Sequence, residues 1–206
     1  MSRRRSPPRV SSLRARPRER IEVELEGEAW RTLPAEVVLA AGLDVGVELD
    51  RERARRLRRE LRRHEALSRA ARSLAHRDLS RRELSDRLAR ANVAAEVRKE
   101  AVDRLVRAGA VDDARFAGGR AEQLARRGEG DLLIRHDLES RGIEAEHVEA
   151  ALASLDPELA RAQRIVAARG PGLRTARYLA RKGFFQETIE SVCEEPVAED
   201  APPAVR

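Results

Sequence analysis

The stretch Ser140-Arg141-Gly142-Ile143 has two counterparts in this chain, Arg90-Ala91-Asn92-Val93 and Arg181-Lys182-Gly183-Phe184. In each copy a leucine lies four residues before the Gly or Asn, and an apolar pair lies nine and ten residues after it. The leucines are Leu88, Leu138 and Leu179, and the pairs are Ala101/Val102, Ala151/Leu152 and Val192/Cys193. Glycine is the usual residue just past a helix end, because it adopts the left-handed backbone conformation without a Cβ penalty, and Asn is the next best. The pattern therefore predicts a helix, a left-handed stop and a second helix, three times.

Tandem helical repeats usually build an elongated binding surface rather than an active-site cavity. The composition agrees with this class, since charged residues make up 38% of the chain, aromatic residues make up 2%, and Ala and Leu supply most of the apolar content. Large ligand pockets are usually lined by aromatic and bulky apolar groups. We therefore expect a mainly α protein without a deep pocket.

The charge of the chain indicates an anionic partner, with a formal net charge of +6 and a pI near 10.6. The 42 basic residues are nevertheless interleaved with 36 acidic ones, as on a solvated helix surface. No stretch approaches the roughly 20 apolar residues that a membrane span requires, and the N-terminus lacks a hydrophobic signal core. The sequence predicts a soluble, cytoplasmic protein.

Residues with catalytic or metal-binding chemistry are few. Cys193 is the single cysteine, which excludes an intramolecular disulfide and a cysteine-based zinc site. The four histidines lack partners at ligand spacing, and no metalloprotease, nucleophile-elbow or P-loop motif is present. Asp112-Asp113 precedes a predicted helix and is best explained as a cap with a dipole partner. We predict no enzyme, no catalytic or metal site and no cofactor.

The domain organisation follows from changes in composition and from start and stop signals. Ile21, Val23 and Leu25 alternate with glutamates before Gly27, which predicts a β-hairpin, and Asp50 can cap a helix. The predicted segments are a disordered basic arm (1–19), a small N-terminal unit with a β-hairpin (20–49), a linker helix (50–65), helical module 1 (66–111), helical module 2 (112–155), helical module 3 (156–195) and a disordered tail (196–206).

The second helix of each module carries basic residues between its apolar positions, and these residues are the predicted partner-binding surface. Such side chains contact phosphates or the acidic face of a protein partner, with an affinity that falls as salt rises. Ordinary solvated charge is the competing interpretation, and it stays open at this point. The candidate residues are Arg81, Arg82, Arg87, Arg135, Arg141, Arg177, Arg181 and Lys182.

From about Arg20 to Glu195 the chain resembles the RecX family of recombinase regulators. The Asp-Asp-x-x-Phe-Ala segment, together with three Leu-x-x-x-Gly/Asn stops, is fairly specific. Asn92 departs from the pattern, because the family has Gly there. The resemblance rests on Ala66 through Arg77, Ser80-x-x-Glu83-Leu84 with Leu88, Val111-Asp112-Asp113-Ala114-Arg115-Phe116-Ala117, Gly130 with Ile134, Leu138, Gly142 and Ile143, and Tyr178-Leu179-Ala180-Arg181-Lys182-Gly183-Phe184.

The resemblance implies three consecutive three-helix modules in an extended, curved arrangement, preceded by the small strand-containing unit. It also implies a non-catalytic protein, expected here to be a monomer, that lodges in the groove of the RecA nucleoprotein filament. There it would restrain the ATPase, strand-exchange and coprotease activities of RecA, in homologous recombination, DNA repair and the SOS response. Its basic faces would add contacts to single- or double-stranded DNA.

Two other functions compete with this interpretation. A helix-turn-helix DNA-binding regulator also consists of short three-helix units and is often basic. It would have one recognition helix and a dimerisation element, whereas this chain repeats its pattern three times. A helical adaptor whose partner is unrelated to recombination is the other competitor, and a binding assay is needed to separate it from a RecA regulator.

Overall fold

The computed structural model describes residues 6–193, and in this part of the chain three strands precede ten helices. The mainly α class with a small strand-containing N-terminal unit is confirmed, whereas the extended, curved arrangement stays a prediction. The elements are β1 (Val10–Arg16), β2 (Arg20–Leu25), β3 (Glu28–Pro34), α1 (Ala35–Ala41), α2 (Arg51–Leu74), α3 (Arg81–Arg90), α4 (Ala95–Arg107), α5 (Asp113–Arg126), α6 (Asp131–Ser140), α7 (Ala145–Ala153), α8 (Glu158–Arg169), α9 (Leu173–Arg181) and α10 (Gln186–Cys193).

The described residues divide into two compact units. One unit contains the residues up to His76 together with Leu88–Arg104, and the other contains Arg77–Arg87 together with the residues from Leu105 on. The division does not follow the predicted module limits, because the start of α3 belongs to the second unit. The limits of the three modules stay a prediction. The predicted tail at 196–206 lies outside the described residues.

The strands form an antiparallel sheet in the order β1-β2-β3. β2 and β3 pair as the expected hairpin, with Ile21 opposite Leu33. β1 corrects the prediction of a disordered arm, of which residues 1–5 lie outside the described part of the chain. Its Val10 is only 1% exposed. Arg14 lies 3.1 Å from Glu24, so β1 complements the glutamates of β2.

Helix α2 also differs from the prediction. Asp50 caps it as expected, since Arg53 donates its backbone N–H to Asp50 Oδ1 over 2.8 Å. The helix then runs without a break to Leu74, so the predicted linker helix and the first helix of module 1 are one element. Residues 51–74 contain neither Gly nor Pro to end the helix, and Leu57 and Ala66 are buried. Because buried positions continue along α2, the helix does not end at residue 65 as predicted.

The three left-handed stops are confirmed. Asn92, Gly142 and Gly183 have φ angles of 58°, 75° and 77°. In each copy the residue after the stop donates its N–H to the carbonyl of the repeated leucine, over 3.1, 3.2 and 3.2 Å. These bonds satisfy carbonyl groups that a helix end otherwise leaves without partners. The leucines themselves are fully buried.

Side-chain caps begin α3 and α5, and the cap at Asp112 confirms the prediction made for it. Ser80 and Glu83 form a capping box, in which Glu83 N–H donates to Ser80 Oγ over 3.1 Å and Ser80 N–H donates to Glu83 Oε2 over 3.3 Å. Asp112 accepts the backbone N–H of Arg115 over 3.0 Å, and this bond lowers the pKa of the Asp112 carboxyl. These caps fix where α3 and α5 begin, and thereby the position of the surface described next.

Candidate partner-binding surface

The N-terminal end of α3 contacts the C-terminal end of α6 in what we call the Ser80–Arg141 junction. Ser80 Oγ donates to the backbone carbonyl of Arg141 over 2.8 Å. The backbone N–H of Arg81 donates to Asp113 Oδ1 over 2.8 Å. The stem of Arg82 lies against Gly142, where an added Cβ would come within 2.4 Å of Arg82 Cδ. The junction therefore joins the start of α3, the second helix of module 1, to the left-handed stop that follows α6, the second helix of module 2.

Ion pairs hold the side chains of this junction. Arg141 pairs with Glu83, and its Nε donates to Asp137 Oδ2 over 2.7 Å. Arg120 reaches the same carboxylate with two N–H groups, over 2.9 and 2.8 Å. Hydrogen bonds from Arg120, and then from Arg141, hold the pKa of Asp137 far below its usual range. Arg141 is thus part of the scaffold, with its side chain only 26% exposed.

The N-terminal end of α6 contacts the C-terminal end of α9 in the same way, in the Gly130–Lys182 junction. Gly130 donates its N–H to the Lys182 carbonyl over 2.7 Å, and Leu132 donates its N–H to the Gly183 carbonyl over 3.0 Å. The backbone N–H of Asp131 donates to Glu158 Oε1 over 2.8 Å. Lys182 Nζ completes the contact with a 2.9 Å ion pair to Glu129.

Counted from the left-handed stops, the two junctions use equivalent positions. Ser80 and Gly130 lie twelve residues before a stop, Arg81 and Asp131 lie eleven before it, and Arg141 and Lys182 lie one before the next stop. The junctions also explain why Asn replaces Gly at the first stop. Gly142 and Gly183 lie in junctions and are approached closely by Arg82 and Leu133, whereas Asn92 is exposed. A side chain fits at the first stop, and none fits at the other two.

The predicted partner-binding residues have different surroundings. Arg141 and Lys182 lie in the junctions, and Arg82 is exposed but covers Gly142 with its stem. Arg135 forms a bidentate pair with Glu149, which lowers the pKa of that carboxyl. The remaining candidates are exposed, although Arg81 also has other contacts, and they are Arg81, Arg87, Arg177 and Arg181. That these residues bind a partner stays a prediction.

A basic hollow that the sequence did not predict lies on α5, next to the Ser80–Arg141 junction. We call it the arginine concavity, and its volume is about 750 Å³. Arg120 and Arg141 carry the Asp137 ion pairs, while the side chains of Arg77, Arg115 and Arg126 are 54%, 54% and 77% exposed. Its lining residues are Arg77, Asp78, Arg115, Phe116, Gly119, Arg120, Gln123, Arg126, Arg127 and Arg141.

The sequence does contain a signal for the concavity. The predicted partner-binding residues all lie on or next to the second helices, whereas the basic residues of the concavity lie mainly on α5. Arg115, Gly119 and Arg126 recur at spacings of four and seven residues, which places them on one face of a helix. The contribution of Arg77 could not be predicted, because it depends on the contact between α3 and α6.

The described part of the chain lacks the features of a metal centre and of a membrane span. Across residues 6–193 there is no group of three or more His, Cys, Asp or Glu side chains that could hold a metal ion. No helix within these residues combines the length and the apolar character needed to cross a bilayer.

Comparison with known proteins identifies the family. The model of the first three-helix domain of RecX matches residues 66–105, and the model of the second matches residues 112–152. The chain is 36% identical over 155 residues to the regulatory protein RecX of Deinococcus radiodurans, covering 70% of this chain and 74% of that protein. It is 37% identical over 119 residues to RecX of Acidithiobacillus ferrooxidans, covering 52% of this chain and 74% of that protein.

Other relatives are matched over a shorter length, and solved structures match the fold. The match to RecX of Serratia proteamaculans is 34% identical and spans 40% of this chain and 55% of that protein. A crystal structure of regulatory protein RecX superposes with a TM-score of 0.78 at 19% identity, covering 90% of this chain and 98% of that one. The chain therefore belongs to the RecX family of regulatory proteins.

Proposed function

We propose that this chain is a non-catalytic regulator that binds the RecA nucleoprotein filament along its groove. It inhibits the ATPase, strand-exchange and coprotease activities of RecA, and so acts in the cytoplasm in homologous recombination, DNA repair and the SOS response. Membership of a family of regulatory proteins supports a regulatory role and a protein partner. The assignment of RecA as that partner comes from the family resemblance.

The observation that best supports this proposal is the repeated junction. The starts of α3 and α6 are held by equivalent hydrogen bonds, from Arg81 N–H to Asp113 and from Asp131 N–H to Glu158, each over 2.8 Å. The chain thus presents a helix at an equivalent position, with its start held in a similar way, more than once. A filament presents identical protomers in succession, and several modest contacts to it gain avidity without any single strong one.

The exposed basic residues are the proposed contacts to the filament. Arg177 and Arg181 are exposed on α9, one helical turn apart, and Arg87 is exposed on α3. Guanidinium groups bind carboxylates and phosphates bidentately, which suits an acidic protein face or the DNA within the filament. Arg141 and Lys182 act differently in this proposal, because they hold the helices that carry the contact residues.

The test is the rate of ATP hydrolysis by RecA on single-stranded DNA, titrated with this protein added before or after filament assembly. The proposal predicts a fall in rate at concentrations where this protein alone does not coat the DNA. An unchanged rate in both orders of addition, together with direct binding to duplex DNA, would instead favour the helix-turn-helix alternative.

A pair of variants can locate the contact within the chain. Arg177→Glu with Arg181→Glu reverses two exposed charges on α9, and the proposal predicts weaker inhibition with unchanged helical content. The matched control is Arg58→Glu with Arg62→Glu, which has the same spacing on α2. There the guanidinium Nε atoms donate to carbonyls of their own helix over 3.0 and 3.3 Å. Equal loss of inhibition in both variants would show that net charge, and not a contact on α9, matters.

A further inference from the structure

The arginine concavity has a charge that its own side chains do not balance. Its lining contains six arginines and one acidic residue, Asp78. Asp137 and Glu83 neutralise Arg120 and Arg141 from below. The four other arginines, Arg77, Arg115, Arg126 and Arg127, form what we call the rim and have weaker partners or none among residues 6–193: Arg126 pairs with the exposed Glu122 on its own helix, and Arg115 lies 4.0 Å from Asp112. Exposed pairs of this kind contribute little and exchange partners readily.

The rim therefore suits an anionic segment with several carboxylates. Arg127 makes no ion pair with any residue from 6 to 193. Arg77 reaches Glu83 only at 3.4 Å, and Glu83 already binds Arg141. Guanidinium groups bind carboxylates with two parallel hydrogen bonds, and a row of them recognises a row of acids.

A segment of this chain has that composition. Residues 194–206 follow the last helix and contain four acidic residues, Glu194, Glu195, Glu199 and Asp200, with Arg206 as the only basic one. The basic residues of the chain outnumber the acidic ones overall, so a stretch with a net excess of three carboxylates stands out. Its charge is opposite to that of the rim.

The last described residue before this segment borders the same apolar cluster as the concavity. Cys193 packs against the same apolar cluster as Ile165 and Tyr178. An added Cβ on Gly128 would lie 3.8 Å from Ile165 Cδ1 and 3.9 Å from the Tyr178 hydroxyl. Gly128 directly follows Arg127 in the rim, so the concavity and Cys193 border one apolar cluster. An extended chain spans about 3.3 Å per residue, so the six residues from Cys193 to Glu199 reach roughly 20 Å.

We propose that the acidic segment 194–206 binds in the arginine concavity of its own chain and competes there with external anions. The segment is tethered, so its effective concentration at the rim reaches about the millimolar range, which is enough for a modest interaction to keep the site largely occupied. A partner that brings a higher charge density, such as a phosphate backbone, has to displace it. The proposal does not depend on RecA being the partner.

A competition experiment with a defined probe tests this inference. The probe is a fluorescent 18-residue oligothymidylate, and the variant is the full chain with Glu194→Gln, Glu195→Gln, Glu199→Gln and Asp200→Asn. If the segment occupies the rim for about 90% of the time, the variant binds the probe about tenfold more tightly than the wild type. The same tightening must disappear when Arg126→Glu and Arg127→Glu are added.

The matched control removes four negative charges elsewhere, with Glu28→Gln, Glu52→Gln, Glu65→Gln and Glu96→Gln, all at exposed positions. Its net charge equals that of the first variant. If the control binds the probe as tightly as the first variant, a general charge effect explains the gain and the proposal is wrong. An unchanged affinity in the first variant also overturns the proposal.

A photocrosslink identifies the occupant directly. The full chain carries p-benzoylphenylalanine in place of Ala198, and the crosslinked peptides are identified by mass spectrometry at low and high salt. The proposal predicts intramolecular crosslinks to residues 115–127 that are lost at high salt, since exposed charge pairs are screened. Crosslinks that produce dimers would assign the rim to a second copy instead, and crosslinks only to other surfaces would contradict the proposal.

Discussion

The two junctions use equivalent positions, but the backbones of the two helices come closer together in the Gly130–Lys182 junction than in the Ser80–Arg141 junction. In the Ser80–Arg141 junction a hydroxyl bridges the start of α3 and the end of α6, and the helix start is also closed by its own capping box. In the Gly130–Lys182 junction two backbone N–H groups donate directly to backbone carbonyls, without an intervening side chain. An added Cβ on Gly130 would lie 2.4 Å from backbone atoms of Gly183 and Phe184.

The residue at the start of the second helix therefore determines how closely the next module can pack. Serine keeps the backbones one side chain apart and supplies its own cap. Glycine lets them meet, and other groups then satisfy the helix start. In the Gly130–Lys182 junction this is done by Glu158, which accepts the N–H of Asp131 and that of Phe185 and is itself buried beside Arg161.

We expect the greatest loss of stability when a side chain is added at Gly130, where the two backbones of the Gly130–Lys182 junction meet. Gly130→Ala places a methyl group within 2.4 Å of backbone atoms that cannot rotate away. We expect a loss of about 3 kcal/mol in the free energy of unfolding, the upper end for overpacking. The measurement is urea unfolding followed by circular dichroism.

The control for this prediction is Gly118→Ala on α5, where no atom lies within 4 Å of an added Cβ. Alanine is the better helix former there, so we expect a gain of about 0.5 to 1 kcal/mol. If both alanine variants have the same stability relative to the wild type, the close backbone approach at Gly130 does not exist.

A smaller loss is expected when the ion pairs of the first junction are removed. Arg141→Met keeps the apolar stem but leaves Glu83 and Asp137 with fewer donors, which should cost about 2 kcal/mol. Arg126→Met is the matched control, since among residues 6–193 its ion pair is with the exposed Glu122 alone, and its loss should cost less than about 0.5 kcal/mol. Similar values for both variants in urea unfolding would mean that Arg141 is not part of the scaffold.

Exchanging the stop residues tests why the first stop differs from the others. Gly142→Asn introduces a side chain against the stem of Arg82 and should cost about 1.5 kcal/mol. Asn92→Gly should change the stability by less than about 0.5 kcal/mol, because Asn92 is exposed and both residues tolerate the left-handed conformation. A neutral Gly142→Asn variant would contradict the close contact at that stop.

The smallest expected effect is the pH dependence of the Asp137 ion pairs. Pairing in the folded state lowers the pKa of Asp137 below its usual value of 3.8. Its stabilising contribution is therefore fully present above that value, where Asp137 is ionised in both states, and is lost as the pH falls through the folded pKa. The difference in unfolding free energy between wild type and Asp137→Asn should stay constant from about pH 7 to pH 5 and shrink as the pH falls below about 4. A difference that does not shrink below about pH 4 would show that the pairing does not lower the pKa.

The sequence predicted the features that depend on local backbone chemistry. The stops at Asn92, Gly142 and Gly183 and the caps at Asp50 and Asp112 follow from single residues and their immediate neighbours, and the structure contains each of them. Predictions that depended on composition were weaker: the arginine-rich stretch before Arg20 predicts disorder, whereas Arg14 and Arg16 lie in β1. Cross-strand glutamates complement them, and a single sequence does not reveal that pairing.

The candidate site was harder to predict for the same reason. The prediction included Arg141 and Lys182 in the partner-binding surface because they are basic residues of the second helices, but their ion partners Glu83 and Glu129 are distant in sequence. The arginine concavity needs α3 and α5 to be brought together, which helical periodicity cannot show. Local signals therefore predicted the modules, and contacts between modules decided which basic side chains stay available.

The decisive measurement for the proposed function is co-sedimentation with preformed RecA filaments on single-stranded DNA, compared with the same DNA without RecA. We expect the chain to pellet with the filament, to remain in solution with the bare DNA at the same salt concentration, and to bind the filament less well when it carries Arg177→Glu and Arg181→Glu. Equal pelleting with and without RecA would make DNA the partner, and no pelleting with the filament would contradict the proposed function.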